Sequence, residues 1–162
     1  LYCESRDARY FWDRLIELGA SPTALGARDT LRFECAMPLY GHELSAEITP
    51  LECGLKSFVK LEKESFTGKE ALAAKNPPAR RRIGLELLDK GVAREHYPVF
   101  DAAGREVGFV TSGMPAPTVG KNLAMALVAA DAAQEEELFI GVRTRKLRAG
   151  RVPLPFYKSE NK

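Results

Sequence analysis

The chain has 162 residues, of which 45% are hydrophobic and 28% charged, and its formal net charge is +2 at pH 7. That is one ordinary domain or two small ones, too apolar for a disordered segment and too mildly basic to call for a nucleic acid partner. No apolar run approaches the roughly 20 residues of a membrane span. Three cysteines and two histidines offer no zinc or iron–sulfur spacing, so neither a metal nor a membrane partner is expected.

The opening Leu1-Tyr2-Cys3-Glu4 has no initiator Met, basic segment or apolar signal core, and reads as a strand entered midway. From Ser5 to Gly19, Ala8, Phe11, Trp12, Leu15 and Ile16 recur with helical period. They predict an amphipathic helix with that stripe in the core, Ser5 or Asp7 capping its start and Gly19 ending it. A second helix is predicted from about Ala27, with Asp29 in its first turn, to about Met37, where Pro38 stops it. Cys35 and Cys53, each among small and apolar neighbours, read as core residues in a reducing interior. Thr49-Pro50 reads as an N-cap and first helical position, Phe58–Leu61 as a strand, and Gly68–Lys75 as a third helix.

Asn76-Pro77-Pro78 breaks every pattern, which places a domain boundary between residues 1–76 and 77–162. Beyond it the period becomes two. Ile83, Leu85 and Leu87 alternate, as do Val107, Phe109 and Thr111. Asp101-Ala102-Ala103-Gly104 predicts a hairpin turn with Gly104 at positive φ. Further strands are expected at Asn122–Val128, Leu138–Val142 and Arg145–Leu147, with Asp131–Glu137 as a polar bridge. So many short strands in so few residues predict a small closed or sandwiched β-domain.

Several residues are candidates for chemistry. Arg28, at a helix start, presents a planar fork that suits a ligand carboxylate, or it is a surface arginine beside Asp29. Tyr40 either walls a pocket for a flat heterocycle or is a buried structural tyrosine. Histidine titrates near neutrality, but His42 has no nucleophile motif beside it, so it reads as a structural or surface residue rather than a catalytic one. Glu34 and Glu52 are candidate buried carboxylates, and Glu34 needs a partner such as Arg28 or Arg32. Gly120-Lys121 lacks the rest of a phosphate loop and reads as a turn with a solvated lysine. The basic tail after Gly141 reads as the wet side of strands, with Phe139, Val142, Leu147 and Val152 inside.

Leu25–Leu55 carries Gly26-Ala27-Arg28-Asp29, Leu39-Tyr40-Gly41-His42-Glu43-Leu44 and Thr49-Pro50-Leu51-Glu52. Val110-Thr111-Ser112-Gly113, Pro117-Thr118-Val119-Gly120-Lys121-Asn122 and Leu154-Pro155-Phe156-Tyr157 follow. In this order they closely resemble the later portion of the aminomethyltransferase (T-protein) family of the glycine cleavage system. The resemblance implies an α+β fold: the C-terminal part of the family's folate-binding α/β domain at 1–76, then a small antiparallel β-barrel at 77–162. It implies a fragment or split subunit that transfers a one-carbon unit from an aminomethyl-lipoyl carrier protein to tetrahydrofolate, with release of ammonia. It makes Arg28, Tyr40 and Glu52 the cofactor-binding residues, with tetrahydrofolate as co-substrate. The barrel would cover the mouth of the pocket.

The family's catalytic Asp and pterin-binding Glu would precede Leu1, so no catalytic residue is assigned within the chain. The expected partners are the lipoyl carrier protein and a missing N-terminal half, supplied by a second chain or replaced by a homodimer. An exposed, broken sheet edge would drive that association. The location implied is the cytoplasm of a bacterium, or the mitochondrial matrix of a eukaryote. Ser57 stands where the family often has Trp, and Phe33-Glu34-Cys35-Ala36 where it has Leu-Glu-Ala-Gly. A non-enzymatic folate-binding or assembly module, or a related folate-dependent demethylase, is the alternative on the same fold.

Overall fold

The computed structural model describes residues 2–159. Six strands follow the proline pair: β1 (Arg80–Leu87), β2 (Pro98–Phe100), β3 (Glu106–Ala116), β4 (Lys121–Ala129), β5 (Glu137–Val142) and β6 (Arg145–Val152). They close into an antiparallel barrel in the order β1-β4-β3-β2-β5-β6, with β6 returning to β1. Closure leaves no unpaired edge among them. Ile83, Leu85 and Leu87 are all buried, as the alternation predicts, with Val99, Val110, Ala126, Val128 and Leu147 in the same core.

The hairpin turn forms as read. Gly104 sits at φ 84°, and its N–H donates to the Asp101 carbonyl. The Asp101 carboxylate accepts from the backbone N–H and the Nε of Arg105, which holds it below the usual carboxylate range. Beside the hairpin, β3 and β4 approach so closely that a Cβ on Gly108 would lie 2.1 Å from the Leu127 carbonyl oxygen. Only glycine fits there.

Three details of the strand reading need correction. In β5 the buried residues are Leu138 and Ile140, because they pair with Ala149 and Leu147 on the inward face. Phe139 is therefore only half-buried, and Val152 packs outside the barrel. In β3 the register shifts between Val110 and Ser112, so Val107, Phe109 and Thr111 do not share one face. Asp131–Glu137 contains a 3-10 turn, Ala132–Gln134, whose two alanines are buried.

Ahead of the barrel lie three helices: α1 (Ala8–Glu17), α2 (Leu25–Glu34) and α3 (Lys69–Ala74). Tyr2–Glu4 form no strand, Leu1 lies outside the described residues, and a 3-10 turn at Ser5–Asp7 leads into α1. Asp7 occupies the cap position without a side-chain hydrogen bond. Gly19, at φ 90°, ends α1 as read: its N–H reaches the Ile16 carbonyl and that of Ala20 the Leu15 carbonyl.

Helix α2 begins and ends earlier than the sequence suggests. Ala36 takes the left-handed conformation, φ 51°, and the N–H groups of Ala36 and Met37 close onto Phe33 and Arg32, so the helix stops before Pro38 acts. Asp29 consequently lies beyond the first turn. Thr49 and Glu52 do form a reciprocal cap, but it supports a single turn. Phe58–Leu61 is not a strand: Lys56–Phe58 is a 3-10 turn and Phe58 is 80% exposed.

The apolar stripe of α1 does not reach a core. Trp12, Leu15 and Ile16 are all exposed, and no residue of the helix is buried. Leu18, Leu25, Leu31 and Met37 are bare as well. The expected broken sheet edge is absent among the described residues, because nothing before β1 is a strand. What lies uncovered is helix surface. Part of it does dock: α2 and the turn that ends it place Phe33 and Ala36 on Ala116, Leu123 and Met125 of the barrel, with Leu154 and Phe156 closing over them.

Candidate functional site

Arg28 lies one turn into α2, on the solvent side. Asp29 does not hold it, because Asp29 accepts from Arg32 Nε. Arg6, Arg9, Arg14 and Arg32 all meet carboxylates, so among the described residues up to Lys63 Arg28 is the one arginine without an ion pair. Its five N–H donors are free for an incoming anion.

Tyr40 is 73% exposed, which removes the reading of a buried structural tyrosine. It stands at the start of a tight turn in which Gly41, at φ 98°, donates back to the Leu44 carbonyl. The turn leaves the ring exposed, and among the described residues its hydroxyl has no hydrogen-bond partner.

Glu52 is buried, and its carboxylate is fully engaged. It accepts from Arg80 Nε at 2.7 Å, and from the Thr49 N–H and hydroxyl at 2.8 and 2.9 Å. Burial pushes its pKa up, but the hydrogen bonds from Arg80 and Thr49 outweigh that and hold it below the usual range. Such a carboxylate is a fixed anchor between the 49–55 turn and β1. It is no proton donor near neutral pH. No hydrogen bond or ion pair joins Arg28, Tyr40 and Glu52 among the described residues, so the three do not form a mutual cluster.

The most elaborate polar arrangement centres on Glu43, which no sequence motif marks as a site residue. Glu43, 1% exposed, accepts from Arg32 Nη1 at 2.9 Å, the Leu39 N–H at 3.0 Å and the Thr111 hydroxyl at 2.8 Å. Arg32 uses its other nitrogens on Asp29 and on the Ser112 hydroxyl, at 2.6 and 3.0 Å. Glu34 is buried too, but neither Arg28 nor Arg32 is its partner. Its Oε1 accepts from the Thr118 N–H, and its carbonyl accepts from the Tyr157 N–H. An acid in a short turn gives no local sign of partners so far along the chain.

His42 Nδ1 lies 2.8 Å from Glu95, but out of hydrogen-bond alignment. The contact lies between the turn and the loop before β2. Cys53 is buried and its thiol pushed up by that burial, whereas Cys35 is exposed, a correction to its reading as a core residue. Lys121 is not merely solvated, since it pairs with Glu86 at 2.7 Å. No group of three metal-ligating side chains converges among the described residues, and no helix is long and apolar enough to cross a membrane.

Two family descriptions match. "Glycine cleavage T-protein C-terminal barrel domain" covers residues 80–158, and "GCVT N-terminal domain" covers residues 1–63. The chain is 50% identical to an aminomethyltransferase of Moorella thermoacetica over 100% of its own length and 46% of that relative. It is also 50% identical to the aminomethyltransferase of Exiguobacterium sibiricum, over 98% of its length and 44% of the relative. The solved glycine cleavage system aminomethyltransferase T from Bartonella henselae superposes with a TM-score of 0.83 at 31% identity, covering 93% of this chain and 44% of that one. The chain thus spans a little under half the length of the relatives it matches.

Proposed function

Because the chain belongs to the glycine cleavage T-protein family, we propose that it is the barrel-bearing part of a tetrahydrofolate-dependent aminomethyltransferase. The reaction takes an aminomethyl group from the lipoyl arm of a carrier protein, releases ammonia and passes the carbon to tetrahydrofolate as methylene-tetrahydrofolate. The identity of about half, sustained over the whole chain, carries this reading.

The residues divide the work by their engagement. Arg28, exposed and without a carboxylate partner, receives the glutamyl carboxylate of folate in its fork. Tyr40 offers an exposed ring as a wall for the flat part of the molecule. Glu52, held charged by Arg80 and Thr49, fixes the floor by tying the 49–55 turn to the barrel. None of the three performs the proton transfer, and the group that does so belongs to the remaining half of the enzyme. Residues 1–76 then act as the folate-binding part and residues 77–162 as its cover, in the bacterial cytoplasm.

The partner half is expected on the bare face of α1. Trp12, Leu15 and Ile16 are exposed on one stripe there, the kind of apolar patch that marks an interaction surface. The carrier protein approaches the completed site.

Titration of the chain with tetrahydrofolate, beside an Arg28→Ala variant, tests the reading. A charge-assisted pair is worth about 1.5–3 kcal/mol, so the variant should bind roughly 10- to 150-fold more weakly. Equal affinity in both removes Arg28 from the site. Failure of the chain, combined with the missing half and loaded carrier, to release ammonia on addition of tetrahydrofolate overturns the transferase assignment.

A further inference from the structure

We propose that the barrel sets the position of the folate arginine, and that Glu43, clasped between Arg32 of α2 and Thr111 of β3, is the positioning residue. The proposal rests on the reading of Arg28 given above. Apolar contact through Phe33 holds α2 against the barrel, but such contact is non-directional and tolerates rolling and sliding. Hydrogen bonds of fixed direction remove that freedom.

Arg32 supplies them with all three of its nitrogens: Nε to Asp29, Nη1 to Glu43 and Nη2 to Ser112. Glu43 relays the clasp onward. One of its oxygens takes Arg32 and the Leu39 N–H, and the other takes the Thr111 hydroxyl.

The barrel is shaped to meet this network. Neighbouring residues of a regular strand point to opposite faces, yet Thr111 and Ser112 both reach it. They do so because the register of β3 shifts between Val110 and Ser112. A bulge re-aims side chains in this way, and here it turns two consecutive hydroxyls onto one network, Ser112 to Arg32 of α2 and Thr111 to Glu43.

Arg28 is four residues before Arg32, about one turn and 6 Å along the axis. With no partner of its own, Arg28 inherits its direction from the helix. A small rotation of α2 about its axis would swing the long guanidinium arm away from a bound carboxylate. The barrel is therefore the fixed mount of the arginine as well as a cover.

The test uses Thr111→Val, close to isosteric, and the milder Ser112→Ala, each with and without Arg28→Ala. Native-state hydrogen exchange is read on α2 and on β1 and β4, and each protein is titrated with tetrahydrofolate. Exchange of the α2 amides should quicken about tenfold while the strand amides keep their protection, the mark of local release. Folate affinity should fall by about tenfold in the Arg28 background and not at all in the Arg28→Ala background, because coupled residues are non-additive. Equal weakening in both backgrounds, or unchanged α2 exchange, overturns the positioning role and leaves the folate reading intact. A chain that binds no tetrahydrofolate overturns the folate reading and the positioning role with it.

Discussion

Phe33→Ala gives the sharpest test of how the helical part is held. Phe33 is fully buried, its ring 5.2 Å from that of Phe156 and tilted by 41°. Around it lie Ala36, Ala116, Leu123 and Met125, with Met114, Val119, Val152 and Leu154 at the margin. Truncation removes an aromatic side chain from a site whose far wall is barrel strand and cannot collapse inward. Such a change costs about 3–5 kcal/mol, a large part of the roughly 5–15 kcal/mol that holds a domain together. At roughly 2–4 °C per kcal/mol for a chain of this size, the melting temperature should fall by about 6–20 °C. Phe33 takes no part in the interior cluster of the barrel. Urea denaturation followed by circular dichroism should therefore separate an early loss of helix from a later, nearly unshifted loss of strand. A single transition moved by less than about 1 kcal/mol would refute the close-packed docking described here.

Gly108→Ala should be worse than any surface change, because the new Cβ meets the Leu127 carbonyl at 2.1 Å. Loss of soluble folded protein, or a drop of several degrees in Tm, is expected, and a wild-type melting curve would contradict it. The carboxyls of Glu52, Asp101 and Asp131 titrate below their usual range in the folded chain. Their contribution is complete above the unfolded carboxylate values and is lost as pH falls through the folded ones. Stability should thus decline on acidification below about pH 5, with a shallower slope in Glu52→Gln; an identical slope removes Glu52 from the account. Among the free cysteines, Cys3 and Cys35 are exposed and Cys53 is buried. A thiol reagent should label the first two in the native chain and Cys53 only on unfolding. Rapid labelling of all three would contradict that burial.

Most of the barrel is written locally. Ile83, Leu85 and Leu87 betray β1 by their spacing, and Asp101 with Gly104 betrays the first hairpin. The helices also show their period, but a period says only that an apolar face exists. It does not say what covers it, and for Trp12, Leu15 and Ile16 no described residue does so. The clasp around Glu43 was invisible for another reason. It depends on a register shift at Thr111, which no turn residue announces, and on a pairing across 68 positions of sequence. Arg28 is legible through its motif, whereas its lack of an ion pair depends on Asp29 turning toward Arg32, which the sequence does not show.

The seat of Phe33 also orders events during synthesis. Its walls come from β3, β4 and the Leu154–Phe156 segment, so α2 leaves the ribosome before any of its seat exists. The last wall follows about 120 residues later, a delay of roughly 6 to 25 s at ordinary elongation rates. Throughout that interval a helix with a bare aromatic side chain is open to chaperones and to neighbouring nascent chains. Vectorial folding from the N-terminal side is thus closed to this part of the molecule: the helix that synthesis delivers early is seated late.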